Sequence, residues 1–501
     1  MVYHVLSVLL HQYLASDFSF EGQHALYSAE AHSRSEEGKL EMPDEGDLRA
    51  VVRTALTEVR ERVRAELQAQ RSNIRDDGVA GHQRHPVLLR NVIPCSPVPV
   101  WMLPEGVETD VTGSWVSHTL ASLLQEVARE SPYDAPQTPN EHSVVVVSAL
   151  LDHTWQRLNT GHWKEVSLTW RLVFTWGSIA LVGMLLQRLH CGLLHSATPA
   201  PSLLEEVGGV IRACDRGLLM GATVEHSPLH SAAATLNPFA RLAAVGRHAD
   251  TETDESPVIQ EDSAIVSRPL AVATCPALDR FLLRYMEDGV PVKLLGVVSH
   301  WPALKRWSLF YFRKVAGART VPVEVGARYT DSSWYQRLMT LDEYFTEYVA
   351  RCGDEGRPTG YLAQHHLLDQ VPQLMEDIVV PDYCHLGQQP PRINAWIGPR
   401  GTVSPLHHDP DHNILVQVVG YKYIRLYGED QSHLLYAHPD PLLSNTSQAD
   451  VEGPADMWPM LQQAEYSDLI LGPGEALYIP PRCWHYIRSL STSFSVSFWW
   501  G

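Results

Sequence analysis

This 501-residue sequence predicts an α+β protein in two parts, with an all-α N-terminal region over 46–245 and a strand-rich region over 265–501. Three observations carry that division. Apolar residues recur at helical spacing through the first half, short β-rich runs alternate with turns in the second, and an acidic stretch separates the two. The length suits two or three domains at roughly 100–200 residues each. A hydrophobic fraction of 45% is enough for at least one sizeable core.

Taken in order, residues 1–45 show no clear pattern and are left unassigned. From Leu48 the positions Leu48, Val51, Val52, Ala55, Leu56, Val59, Val63 and Leu67 follow helical spacing, with Arg and Glu on the opposite face. Residues 72–115 are rich in Pro and Gly and read as a loop or insertion. Helical patterns resume over 118–129, 144–158, 164–189, 201–219 and 231–245, together reading as a scaffolding bundle. The longest apolar run, Leu172 to Leu186, has 15 residues and is interrupted by Thr175, Gly177 and Ser178. That is short of the ~20 residues that span a bilayer, so a buried helix is expected and no membrane contact. Met1 to Ala15 is apolar but lacks Lys and Arg, which makes a poor signal peptide.

Residues 246–264 read as a solvated linker, because Asp250 to Asp262 carries six acidic residues and no Lys or Arg. Beyond it, strand-like runs fall at Val290–Val297, Thr320–Val325, Ile393–Ile397, Ile414–Val419, Tyr421–Tyr427, Glu475–Ile479 and Phe494–Trp500. Such spacing in the last 110 residues indicates an antiparallel sandwich or barrel.

Charge and cysteine usage exclude several classes. With 39 basic and 58 acidic residues the net charge is −19, which opposes broad binding to nucleic acid or anionic membrane. The seven cysteines are scattered without a C-x-x-C pair, so neither a disulfide scaffold nor a paired-cysteine zinc module is expected.

The chemistry lies in GTVSPLHHDPDHNILVQVVGYKYIRLYG, residues 401–428. His407 and Asp409 are two apart and share one side of an extended chain, whereas His408 points away. His485 lies 76 residues beyond Asp409, after a Gly-Pro-Gly turn, a strand and a Pro-Pro step. The chain holds 25 histidines, so H-x-D alone does not define a site; the distant histidine in the same β-rich region gives it weight. Two His and one carboxylate form the facial ligand set of non-haem Fe(II) oxygenases, although such N/O ligands also accept Mn²⁺, Co²⁺, Ni²⁺ or Zn²⁺. Lys422 follows the Val419-Gly420 turn amid Val416, Val418, Ile424 and Leu426. It is either a buried cation that a dicarboxylate satisfies or a lysine on an exposed strand face.

Many motifs agree, in order, with one family. SHWPALKRWS, RTVPVEVGARYTD, GYLAQHHLLDQ, PDYCHLG, NAWIGP, GTVSPLHHDP, NTSQADVE and SFSVSFWW cover roughly residues 265–501, and WQRLNTGHW and ACDRGLLMGA extend the match into the helical half. The sequence resembles the JmjC-domain oxygenases of the cupin superfamily. The resemblance implies a double-stranded β-helix with its core over about 360–501, and Fe(II) held by His407, Asp409 and His485. It implies 2-oxoglutarate contacts at Tyr361, Ser404, Asn413, Lys422 and Trp499, with O₂ as second cosubstrate. It implies a substrate cleft lined by Glu324, Trp334, Gln364 and Trp396, beside Tyr361. Without the family pattern, Trp334 and Trp396 are equally readable as core aromatics.

The implied substrates are proteins or peptides with basic residues. Arginine C3 hydroxylation, demethylation of dimethyl-lysine on a histone H3 tail and cleavage of methylated histone tails are all associated with such proteins. A carboxylate among aromatic rings suits a guanidinium or a methylated ammonium. The absence of a zinc module or histone-reader domain in the sequence favours hydroxylation. A cupin-fold adaptor without turnover and a metal-dependent peptidase are the competing readings. The resemblance also implies a nuclear location, for which the linker shows no basic cluster; a monomer is expected.

Overall fold

The structure, a computed structural model, describes residues 52–67, 107–128, 140–160, 166–194, 200–245 and 266–501, with 66, 108, 225–226, 332, 354–356 and 441–442 excepted. The expectations for residues 1–45, for 72–106 and for the acidic linker at 246–264 lie outside the described residues. The chain divides into two compact units, 1–250 and 251–501.

Helices of the first unit run over residues 52–65, Thr109–Thr112, Ser114–Ala128, Glu141–Leu158, Leu168–Leu194, Ala200–Met220 and Pro228–Val245. The apolar stripe of the first is buried as its spacing predicts, at Val52, Ala55, Leu56, Val59 and Val63. One expectation is corrected. The presumed loop 72–115 ends in helix, because Gly113 (φ +84°) merely separates the Thr109–Thr112 turn from the helix that starts at Ser114.

Leu168–Leu194 is the centre of this unit. It is long and apolar enough to cross a membrane, yet Val173, Phe174, Ile179, Val182 and Leu186 are fully buried against neighbouring helices, as expected of an all-round apolar core helix. It begins four residues later than the apolar pattern, with the Ser167 hydroxyl accepting from the Thr169 N–H at 3.2 Å. Gly217 lets the next helix approach it, since a Cβ there would sit 2.6 Å from the Ser178 Cβ.

The second unit contains strands β1 (Val272–Thr274), β2 (Val292–Leu295), β3 (Thr320–Val325), β4 (Tyr335–Thr340), β5 (Gly360–His365), β6 (Arg392–Gly398) and β7 (Val403–His407). These are followed by β8 (His412–Val419), β9 (Lys422–Tyr427), β10 (Tyr466–Leu471), β11 (Ala476–Ile479), β12 (Trp484–Ser489) and β13 (Ser493–Trp500). They form a nine-stranded sheet, β1-β2-β11-β8-β13-β6-β5-β3-β4, and a four-stranded sheet, β10-β9-β12-β7. From β6 to β9, and again from β11 to β13, successive strands alternate between the two sheets, which is the winding of a double-stranded β-helix. All seven strand-like runs of the sequence are strands. Strands β1, β4, β5, β7, β10 and β12 were not among them; of these YQRLMT is mostly exposed, GYLAQH is interrupted by an irregular register, and YSDLIL does not alternate cleanly.

Side-chain alternation sorts the barrel into an inside and an outside. Ile424, Leu426, Leu477, Ile479 and Ile487 fill the interior between the sheets. Tyr423, Tyr427, Trp484 and Tyr486 face outward from the small sheet. The outer face of the large sheet packs Phe281, Trp301, Trp307, Phe312 and Phe345 from the preceding helical turns. Lys422 and His485 lie on the inward side of β9 and β12, and so enter the same interior.

Candidate active site

β7 and β12 pair antiparallel with His407 opposite His485 and Ser404 opposite Ile487. Two residues of β12 therefore face three of β7. This one-residue bulge turns both Ser404 and His407 inward although they are an odd number apart. Asp409 follows just beyond β7, where the Arg482 N–H donates to its carbonyl at 2.7 Å. The ligand atoms of His407, Asp409 and His485 all lie within 4.8 Å of one another. His408 turns outward, as predicted, and meets the edge of Trp484 at 4.7 Å between ring centroids.

The histidine tautomers follow from their partners. The His407 Nδ1 lies 2.7 Å from the Pro405 carbonyl and the His485 Nδ1 lies 3.0 Å from the Cys483 carbonyl. A carbonyl only accepts, so each Nδ1 carries a proton, and in the neutral ring the Nε2 lone pair points the other way. The His485 Nε2 is 3.6 Å from the Asp409 Oδ2. Burial, reinforced by His407, lowers the His485 pKa against the opposing pull of Asp409. Hence a neutral imidazole faces a carboxylate, and the Asp409 Oδ2 is buried without a hydrogen-bond partner. Electron pairs that converge in this way fit a divalent cation, with backbone carbonyls orienting the rings from behind.

A second set lies deeper. Lys422 is 1% exposed, which removes the alternative of an exposed strand face. Among the described residues its Nζ donates to the Tyr361 hydroxyl alone, at 3.3 Å, and burial pushes its pKa down to about 7. Among the described residues no carboxylate pairs with it. Tyr361 also shares a hydrogen bond with Ser404. Asn413 and Trp499 are cross-strand partners on β8 and β13, and the Asn413 Oδ1 and Trp499 Nε1 are both buried without partners. A cation, hydroxyls and open amide and indole groups therefore all face the barrel interior, a set of donors and acceptors that suits a small dicarboxylate.

Glu324 on β3 pairs in register with Tyr361 on β5. Its carboxylate accepts from the Trp334 Nε1 at 3.4 Å, and burial raises its pKa while that hydrogen bond lowers it. Glu324, Trp334 and Tyr361 line one cleft with Arg328, Tyr329, Thr402 and Val403. Trp396 is not in that lining: it donates to the Ser497 hydroxyl at 2.9 Å and packs on the inner core, with its ring centroid 6.2 Å from that of Tyr361. Gln364 is not in it either, being exposed at the irregular β5–β6 register with φ +47°. Tyr329 was not singled out from the sequence, yet both Asp409 and Glu324 act on its hydroxyl. Only its position within RTVPVEVGARYTD hinted at it.

A cupin-like domain model matches residues 278–501. Lysine-specific demethylase 8 of Xenopus tropicalis is 39% identical over 447 residues, spanning 79% of this chain and 99% of its own. The chain belongs to the JmjC family of cupin-like oxygenases. Lysine-specific demethylase JMJ30 of Arabidopsis thaliana is 37% identical over 76% of this chain and 92% of its own. The bifunctional peptidase and (3S)-lysyl hydroxylase JMJD7 of Homo sapiens is 28% identical over 46% of this chain and 84% of its own. JmjC demethylases and hydroxylases depend on Fe(II) and 2-oxoglutarate, and the His-Asp-His set and the buried Lys422 fit these two groups.

Proposed function

We propose that this JmjC oxygenase hydroxylates arginine in protein substrates, at C3 of the side chain, with conversion of 2-oxoglutarate to succinate and CO₂. In this reading His407, Asp409 and His485 bind Fe(II). Lys422 binds the distal carboxylate of 2-oxoglutarate, and Tyr361, Ser404, Asn413 and Trp499 orient it. Iron with 2-oxoglutarate supplies the oxidising chemistry, one atom of O₂ entering succinate and the other a substrate C–H bond. The protein's part is placement: apolar neighbours keep water from the interior, and fixed side chains hold the target carbon at the metal.

The observation that carries the substrate class is Glu324. It is a partly buried carboxylate at the mouth of the site, and among the described residues no cation pairs with it. A guanidinium offers it two parallel N–H donors, and the aromatic faces of Trp334, Tyr361 and Tyr329 favour a delocalised cation. The test incubates Fe(II)-loaded protein with 2-oxoglutarate, O₂ and a panel of arginine-containing peptides. The expected product retains one added oxygen on an arginine methylene, with equimolar succinate. No peptide oxidation by protein that demonstrably holds iron would refute the proposal.

The names of the two demethylase relatives favour a second reading, removal of methyl groups from dimethyl-lysine. The same cleft chemistry accommodates a methylated ammonium. Dimethyl-lysine peptides in the panel separate the two, because demethylation loses a methyl group while hydroxylation retains oxygen.

A further inference from the structure

The segment NTSQADVE, Asn445–Glu452, lies between β9 and β10 and supplies none of the groups discussed above. Its polar atoms nevertheless meet both halves of the site. The His408 N–H donates to the Asn445 carbonyl at 2.9 Å, and the Asn445 side-chain amide donates to the His408 carbonyl at 3.0 Å. His408 is the residue between His407 and Asp409, so one asparagine grips the link between two proposed ligands from both backbone groups. Thr446 bridges to His407, and the Ser447 N–H donates to the Leu406 carbonyl at 2.8 Å. Further along, the Thr446 and Tyr329 hydroxyls are 3.1 Å apart and Asp450 pairs with Arg328 at 2.7 Å. Tyr329 and Arg328 both line the cleft.

β7 is the edge strand of the small sheet, so the outward groups of Leu406 and His408 have no neighbouring strand. Asp409 lies beyond the strand's end, where sheet pairing no longer fixes its direction. The Asn445 clamp, the Ser447 N–H on Leu406 and the Arg482 N–H on Asp409 hold this backbone. Asparagine suits the place because it offers a donor and an acceptor from within a turn.

We propose that Asn445 is a positioning residue for the metal ligands, acting through His408 to fix the directions of His407 and Asp409. The rest of its segment holds the cleft loop in register with them. This inference rests on the reading of His407 and Asp409 as ligands. It predicts that loss of the side-chain donor weakens metal binding about tenfold, the lower end of what outer partners of metal ligands contribute.

The test titrates full-length protein with Mn²⁺, following free Mn²⁺ by electron paramagnetic resonance, and records the visible absorption of bound Co²⁺. Asn445→Ala and Asn445→Ser, the latter keeping a turn-forming residue, should each bind Mn²⁺ about tenfold more weakly and shift the Co²⁺ bands. Asp450→Asn, at the far end of the segment, should match wild type in both readouts. Wild-type Mn²⁺ affinity in both Asn445 variants would overturn the clamp, as would a wild-type result for Asn445→Ser alone. An equal loss in Asp450→Asn would also overturn it, by showing that any loosening of the segment suffices. If His407→Ala binds Mn²⁺ as well as wild type does, the ligand reading itself fails.

Discussion

Buried charge is handled in two opposite ways in the β-rich unit. On its outer shell Asp377 is fully buried and accepts from the Arg306 Nη1 at 2.8 Å, the Trp307 Nε1 at 3.0 Å and the Tyr311 hydroxyl. Asp468 likewise accepts from the Arg268 N–H at 2.7 Å and the Tyr423 hydroxyl at 3.2 Å. Within the barrel and at its mouth, among the described residues, Lys422 has one neutral partner, Asp409 has an unpartnered oxygen and Glu324 has one indole N–H. Burying a charge is tolerable only when its partners are supplied. The outer carboxylates have theirs within the chain and are structural. Among the described residues the interior groups have few of theirs, and the proposed metal ion, 2-oxoglutarate and basic side chain would supply them.

The largest effect that sharpens this contrast is at the ligands. Asp409→Ala should reduce metal affinity and turnover by more than about 100-fold, beyond the cost of losing an outer partner, while the melting temperature of the metal-free protein does not fall. Metal titration and calorimetric melting check both halves. Asp377→Ala should do the reverse. By stranding buried donors it should cost about 2–4 kcal/mol of stability, seen in denaturant unfolding, with Mn²⁺ affinity of the folded protein retained.

A smaller effect is expected at the cleft. Glu324→Gln keeps the shape and removes the charge. It should raise KM for an arginine peptide about tenfold or more, the worth of a charged hydrogen bond, and leave 2-oxoglutarate binding unchanged. Steady-state kinetics with each substrate varied in turn distinguish the two sites.

The smallest effect is a pH dependence. Lys422 has a depressed pKa of about 7 against an ordinary 10.5, so in the free protein it is mostly neutral above that value. A dicarboxylate favours the charged form, so binding takes up a proton. Affinity for 2-oxoglutarate should therefore fall as pH rises above about 7, by up to roughly tenfold per unit. Over the same window the unfolded chain holds a proton that the folded one lacks, so the free protein gains stability with pH. Calorimetry in buffers of different ionisation heat measures the uptake.

Much of this contrast was legible in the residues themselves. The H-x-D spacing and distant His485 marked the three side chains that converge, and a lysine among Ile and Val marked a charge in need of a partner. Strands with apolar runs or clean alternation were readable; exposed β4 and irregular β5 were not, because neither has a periodic signal. The carbonyls of Pro405 and Cys483 that set the histidine tautomers have no side-chain signature. Neither has the β7 bulge that brings Ser404 inward beside His407. The role of Asn445 depends on a pairing between segments 37 residues apart, which no local pattern encodes. Gln364 matched its motif, and its exposed side chain at positive φ is not in the lining of the Glu324 cleft.

The most direct measurement compares wild type with Lys422→Met in one pair of experiments, thermal stability of the free protein and calorimetric binding of 2-oxoglutarate to the Mn²⁺-loaded form. A lysine kept for the cosubstrate predicts that Lys422→Met is as stable as wild type or more so, binds 2-oxoglutarate at least tenfold more weakly and takes up no proton. A variant that is less stable yet binds 2-oxoglutarate as wild type does would show Lys422 to be structural, and would contradict the reading of the unpartnered interior charges as ligand sites.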